Sequence, residues 1–243
     1  MATAPAADQR RLLDVQDADL RAQQLRHKRD TLPQNAQLEE LAARRADLHE
    51  ERIARNAEVG DLRRAVQKAE DDVQAVRARK DRDQQRLDSG SGSAKDLQAL
   101  QSELEVLGRR LSALEDVEID AMEQVESAEA ALASATEQAE ALDAQVAQVT
   151  EERDAQVREI DGELVTVHDE RGTAARDLDA GLLALYDKLR EQHGGVGAAA
   201  LVGGTCQGCH MSLNAGDLAA ILDAPADRVV RCEECGRILV RGA

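Results

Sequence analysis

The sequence predicts a mainly α protein, a long antiparallel coiled-coil hairpin followed by a small cysteine-bearing β module at the C-terminus. Three observations carry that expectation. Of the 243 residues 33% are charged, yet the chain has one Tyr, no Trp, no Phe and only three Pro. Aromatic rings supply much of the buried area of ordinary cores, and a compact fold of this length needs many turns, so this composition points to long helices. Apolar residues also recur on a seven-residue repeat through most of the chain, and all four cysteines fall near its end. An apolar content of 42% at such regular spacing argues against disorder.

A first helix is expected from about Asp8 to Thr31, with Leu12, Leu13, Leu20 and Leu25 on its apolar side. Pro33 cannot continue a helix interior and pushes the residue before it out of α space, which predicts a break at 32–35 with Asn35 near the next helix start. From Leu38 the 3-4 spacing runs through Leu41, Leu48, Val59, Leu62, Val66, Ala69, Val73 and Val76 to Leu87, a first arm of seven heptads. Ser89-Gly90-Ser91-Gly92-Ser93 is a flexible breaker and the expected turn, at 89–93.

A second seam runs from Leu97 through Leu107, Leu114, Val125 and Leu142 to Val149 and is polar only at Glu118. Arms joined by so short a turn pair antiparallel, with facing residue numbers totalling about 182 if the turn centres on Ser91. That register sets Arg45, Arg52 and Arg55 opposite alanine-rich stretches near 125–139, where Arg stems can fold over small residues. It also sets Glu118 opposite Arg63 and Arg64 as an ion pair. After Val149 the spacing slips through Arg153 and Val157, a stutter, and resumes from Ile160 through Leu178, Leu182 and Leu185 to Leu189. This last stretch should pack against the first helix. At 1.5 Å per residue the hairpin should reach roughly 80 Å from the break near Pro33, so residues 1–193 are expected to form a rod.

The formal net charge of -17 is unevenly spread. Residues 1–93 hold 18 basic and 18 acidic side chains, residues 94–193 hold 9 and 25, and residues 194–243 hold 4 and 5. Such an acidic chain is not a general polyanion binder. No apolar run approaches the ~20 residues that span a bilayer, and the N-terminus lacks the apolar core of a signal peptide, so a cytoplasmic location is expected.

Beyond His193 the run Gly194-Gly195-Val196-Gly197 reads as a linker, and residues 198–243 form a separate module. Cys206-Gln-Gly-Cys209 and Cys232-Glu-Glu-Cys235 are two C-x2-C pairs, the spacing of a closed tetrahedral site with four thiolate ligands, which is a structural zinc site. A module this small needs such a staple to fold. Ala219 to Asp223 reads as an inserted helical turn, and Gly236 can adopt the backbone conformation that turns N–H groups toward sulfur. Two disulfides or a thioredoxin-like redox pair would use the same residues, but neither an oxidising compartment nor a βαβ unit is visible. Catalytic zinc would need an open coordination position. His210 is expected at the surface or beside the site, and His27, His49, His168 and His193 lie on polar faces. There is no phosphate-binding glycine loop, nucleophile motif or paired-carboxylate pocket, so a non-enzymatic protein is expected.

Four segments carry a resemblance to the bacterial C4-type zinc-ribbon coiled-coil family. They are Ser93-Ala-Lys-Asp-Leu-Gln-Ala-Leu-Gln-Ser-Glu103, the stretch from Leu114 to Glu123, Leu185-Tyr-Asp-Lys-Leu-Arg190, and the cysteine pairs with Gly236-Arg-Ile-Leu239. Members of that family include a flagellar regulator described as binding messenger RNA and as chaperoning an alternative sigma factor. The resemblance therefore implies a zinc-ribbon coiled-coil adaptor that binds nucleic acid, RNA above all, in a regulatory role, or else a protein-interaction scaffold or chaperone in which zinc serves only folding. The candidate phosphate contacts are Arg228, Arg231, Arg237 and Arg241 on the ribbon, and Arg79, Lys80 and Arg82 near the hairpin tip. Where the family often has an aromatic after Arg-Ile-Leu this chain has Val240, so a stacking platform for bases is missing. Tyr186 should pack the helices against the ribbon.

Overall fold

The computed structural model describes residues 2–242. Helix α1 (Ala6–Asp30) carries Asp8 in its first turn and His27, Lys28 and Arg29 in its last, charges that suit the helix dipole. The break falls where Pro33 requires it, and α2 (Pro33–Asp88) starts on that proline. Asn35 donates to the carbonyls of Arg29 (3.5 Å) and Asp30 (3.2 Å) and so seals the end of α1. After the turn, α3 (Ala94–Ala175) opens with a capping box: Asp96 N–H reaches Ser93 Oγ (3.3 Å), and Asp96 Oδ2 accepts from Ser93 N–H (3.0 Å). Ser93 Oγ also donates to Asp96 Oδ2 at 2.7 Å, and this bond, with that from Ser93 N–H, holds the Asp96 carboxyl below its ordinary pKa.

The helix that carries the seam toward Leu189 is interrupted. Helix α3 ends at Ala175, Asp177 takes a left-handed φ of 61°, and α4 (Ala180–Gln192) begins on an N-cap in which Asp179 accepts from Leu182 N–H at 2.8 Å. The seam continued in phase across this joint, through Leu178 and Leu182, so apolar spacing could not reveal it. Arg11 of α1 donates to the exposed carbonyls of Ala174 (3.0 Å) and Arg176 (2.5 Å), and Asp8 accepts from Asp179 N–H, so α1 braces both sides of the joint.

The ribbon is a four-stranded sheet in the order β2-β1-β4-β3. Strands β1 (Ala198–Val202) and β2 (Thr205–Cys206) form a hairpin across Gly203 and Gly204, both with positive φ, as a two-residue turn demands. Strand β4 (Ile238–Val240) lies parallel to β1 and antiparallel to β3 (Val230–Arg231). The N-terminal residues extend the far edge: Thr3 bridges Arg228, with Ala4 N–H to Asp227 O at 2.7 Å and Val229 N–H to Ala2 O at 3.1 Å. The inserted turn is a full helix, α5 (Ala215–Asp223), capped by Asn214.

The chain divides into two compact units, one of residues 37–149 and one of residues up to 36 together with 150 onward. The second unit has a core of Leu12, Val15, Leu182, Tyr186, Leu189, Ala198 and Ile238. Tyr186 is fully buried there and packs helix against ribbon as expected. Three polar residues of α1 lie in the same stripe as Leu12 and Val15. Gln9 donates to Ala4 O (2.8 Å), Gln16 accepts from Gly197 N–H (2.7 Å) and donates to Gly195 O (2.9 Å), and Asp19 meets Tyr186, Arg171 and Arg190. The glycine run after His193 is therefore a fixed segment and not a loose linker. A Cβ on Gly197 would stand 2.6 Å from Tyr186 O, so close packing fixes the choice of glycine there.

In the unit of residues 37–149, Leu41, Leu142 and Val149 form a buried cluster, and Val59, Val73, Val76, Leu107, Ala128 and Ala135 continue the seam. Arg45 pairs with Asp143 (2.9 Å) and Arg77 with Glu115 (2.8 Å). Arg63 pairs with Glu129 and Arg64 with Asp61, which corrects the expected partnership with Glu118. Side chains lean toward the N-terminus of their own helix, and in antiparallel neighbours this moves the contact toward higher numbers on α3.

Candidate metal centre

The four Sγ atoms of Cys206, Cys209, Cys232 and Cys235 lie within 4.8 Å of one another. Two approaches, Cys206 to Cys235 and Cys209 to Cys232, measure 3.9 Å. Four sulfurs about 2.3 Å from a tetrahedral zinc ion stand about 3.8 Å apart along each edge. The spacing fits that polyhedron and is far too long for S–S bonds, and all four cysteines are free thiols.

Each C-x2-C pair folds into the same tight loop. His210 N–H donates to Cys206 O at 2.8 Å with His210 at φ 59°, and Gly236 N–H donates to Cys232 O at 2.8 Å with Gly236 at φ 72°. The conformation expected of Gly236 is present, and its counterpart in the first loop is taken by a non-glycine residue. The Sγ of Cys206 accepts from backbone N–H groups of Gly208 and Cys209, and that of Cys232 from Glu234 and Cys235. Burial nevertheless dominates at both and pushes the thiols up, Cys232 to about 12. Burial is the largest single effect on Cys235 too, but N–H donors of Arg237 together with hydrogen bonds from Cys232 and Cys209 outweigh it and bring the thiol down to about 7. Buried sulfurs ringed by N–H donors suit a metal that replaces the protons and spreads the charge. Four protein ligands fill the tetrahedron, so the centre holds one Zn2+ structurally.

Three of the four ribbon arginines are engaged with backbone carbonyls. Arg237 donates to Val196 O (3.0 Å) and His193 O (3.2 Å), tying the second loop to the end of α4. Arg241 clamps the segment after α5, with bonds to the carbonyls of Ile221 (2.9 Å), Ala224 (2.8 Å), Pro225 (2.8 Å) and Arg228 (3.0 Å). Arg231 Nε donates to Gly236 O at 2.6 Å. Arg228 is half-buried and lines a cavity with Asp217, Arg231 and Glu233. Near the hairpin tip Arg79 pairs with Glu103 and Asp83, while Lys80 and Arg82 have no ion-pair partner among the described residues. Sequence reasoning missed the Gln16 and Asp19 contacts; the available signal was three polar residues in phase with Leu12 and Val15.

Fold and site together define a coiled-coil hairpin protein with a closed four-cysteine zinc ribbon. Residues 15–194 match the CT398-like coiled coil hairpin domain and residues 205–239 the C4-type zinc ribbon domain. The chain belongs to the CT398-like coiled-coil hairpin family. An uncharacterized protein of Mycobacterium tuberculosis is 35% identical over 238 residues, 98% of this chain and 97% of that one. A solved structure from Mycobacterium smegmatis has a TM-score of 0.85 at 32% identity and covers 98% of this chain and 100% of its own. CT398 of Chlamydia trachomatis shares the fold, with a TM-score of 0.71 at 19% identity over 97% of this chain and 98% of that one. These domains support a non-catalytic, structural or adaptor role. Among the described residues no helix is long and apolar enough to cross a membrane.

Proposed function

We propose that this chain is a non-enzymatic, protein-binding adaptor whose hairpin carries the partner and whose zinc serves the folding of the ribbon. The observation that supports this reading is the exposure of large apolar side chains along the hairpin: Ile53, Val106, Val117, Ile119 and Met122 are each more than half exposed. Isolated apolar residues on a surface are ordinary, but Ile119 and Met122 share one groove with Val66 and Val125. Nucleic-acid binding in a regulatory role is less well supported. Three of the four ribbon arginines spend N–H groups on backbone carbonyls, and the ribbon has no aromatic for stacking. Its remaining support is the pair Lys80 and Arg82. A site of free thiols that binds zinc suits a reducing compartment, so we place the protein in the cytoplasm.

Capture of partners from lysate by the zinc-loaded protein, with and without nuclease, tests the choice. Proteins retained after nuclease, with no binding to an RNA pool at low salt, are expected. RNA affinity falling with salt at a log-log slope near -0.7 per neutralised phosphate would overturn the proposal.

A further inference from the structure

The groove between the two arms of the hairpin has a volume of about 510 Å3 and is lined by Val66, Ile119, Met122 and Val125, with Arg63 and Glu129 at its edge. Glu123 and Glu126 also line it. Arg63 Nε is committed to Glu129 at 3.0 Å, which leaves Glu123 and Glu126 without a cation partner among the described residues. Residues 119, 122 and 126 follow one another at three- and four-residue steps, so they form a ridge along α3 against which another helix can seat its own side chains. From 119 to 129 this ridge is about 15 Å long, the length of three helical turns.

We infer that this groove docks a short amphipathic helix of a partner protein, with an apolar stripe for Ile119, Met122, Val66 and Val125 and flanking Lys or Arg for Glu123 and Glu126. The inference rests on the adaptor reading and names the partner's chemistry. Electrostatics selects the occupant. The arm that supplies most of the groove lies in the stretch with 25 acidic and 9 basic residues, which repels nucleic acid and acidic helices and favours a basic one. A second copy is disfavoured by symmetry, because a two-fold contact through this patch would set Glu123 and Glu126 of one protomer against the same residues of its partner. Helix-in-groove recognition needs only the i, i+3 and i+7 anchors that such a stripe supplies.

The test uses the full, zinc-loaded chain and three labelled 14-residue probe peptides read by fluorescence anisotropy. One has Leu at i, i+3 and i+7 among Lys and Ala, the second has Glu in place of Lys, and the third has the first one's composition with the Leu stripe scrambled. The Lys probe is expected to bind at least tenfold more tightly than either of the others. Met122→Gln should weaken it about tenfold, and the double change Glu123→Lys, Glu126→Lys should reverse the preference toward the Glu probe. These side chains are exposed, so unchanged circular dichroism is expected for both variants. Equal binding of the scrambled probe, no effect of Met122→Gln, or no binding of any probe overturns the docking site. A concentration-dependent dimer abolished by Met122→Gln also overturns it, in favour of a second copy. A photo-crosslinking residue placed in turn at 122 and at 53 separates the two levels: capture of a protein at 53 but not at 122 rejects the groove and spares the adaptor reading, and capture at neither rejects both.

Discussion

Replacing Asp19 by Ala should strongly destabilise the zinc-bearing unit. The Asp19 side chain is only 6% exposed and receives three donors: Tyr186 OH at 2.7 Å, Arg171 Nε at 2.9 Å and Arg190 Nη1 at 3.0 Å. Breaking a buried ion pair from one side costs roughly 3–5 kcal/mol, because the other charge stays buried and uncompensated. The low end applies here, since the Arg171 and Arg190 side chains keep 24% and 29% exposure and both retain Asp187 nearby. The orphaned Tyr186 hydroxyl adds about 1 kcal/mol. The total is about 4 kcal/mol, or nearly three orders of magnitude in the folding equilibrium. Asp19→Asn keeps the volume and an acceptor for the phenol and should cost about half as much. Tyr186 is the sole aromatic residue, so its fluorescence follows the melting of this unit in urea. A loss below about 1 kcal/mol for Asp19→Ala, with Tyr186 still shielded, would refute the view that this carboxylate organises the α1, α3 and α4 contacts.

Other changes probe different parts of the same framework. Gly197→Ala would press a methyl group against Tyr186 O (2.6 Å), Tyr186 Cδ2 (2.8 Å) and Arg190 N (3.0 Å), and should cost about 3 kcal/mol, the upper range for overpacking, in a thermal or urea melt. Burial and the Asp19 bond raise the Tyr186 pKa above its ordinary value near 10. Folding therefore favours the protonated phenol, whose stabilising contribution is complete below about pH 10 and is lost as pH rises beyond it. Absorbance at 295 nm should show no tyrosinate until the unit unfolds, and Tyr186→Phe should remove this component of alkaline lability. Elemental analysis should give one zinc per chain. Chelation should release it, make four thiols reactive and unfold the ribbon, while a metal-free protein with an unchanged near-ultraviolet signal would exclude a folding role. Because Cys206 and Cys232 are held protonated in the absence of metal, zinc affinity should fall as pH drops from 8 to 6, measurable by competition with a chromophoric chelator.

Most of the hairpin and the ligand set of the zinc centre could be read from the sequence because each rests on a local rule. The 3-4 spacing marks a helix face, Pro33 forbids helix continuation, and two C-x2-C pairs can meet around one ion. What escaped depends on contacts distant along the chain. The break before α4 left the seam in phase and showed only as Asp179 at an N-cap position. The glycines at 194, 195 and 197 have the composition of a linker, and only the carbonyl of Tyr186 and the side chain of Gln16 explain why they are fixed. Arg237 and Arg241 looked like free cations, yet a guanidinium with five donors is equally suited to gathering backbone carbonyls, and no sequence pattern announces which carbonyls will be near.

The division of the chain has a consequence for how such a protein can change length. One unit contains both ends of the described chain and is closed on itself by the pairing of residues 2–4 with 227–229, while residues 37–149 leave it after Ala36 and return at Thr150. The hairpin is thus an insertion within a self-completed unit. Removing one heptad from each arm keeps both seams in phase and touches neither the Asp19 cluster nor the cysteines. Hairpin reach is therefore a variable that selection can adjust in steps of about 10 Å without renegotiating the metal-bearing part of the molecule.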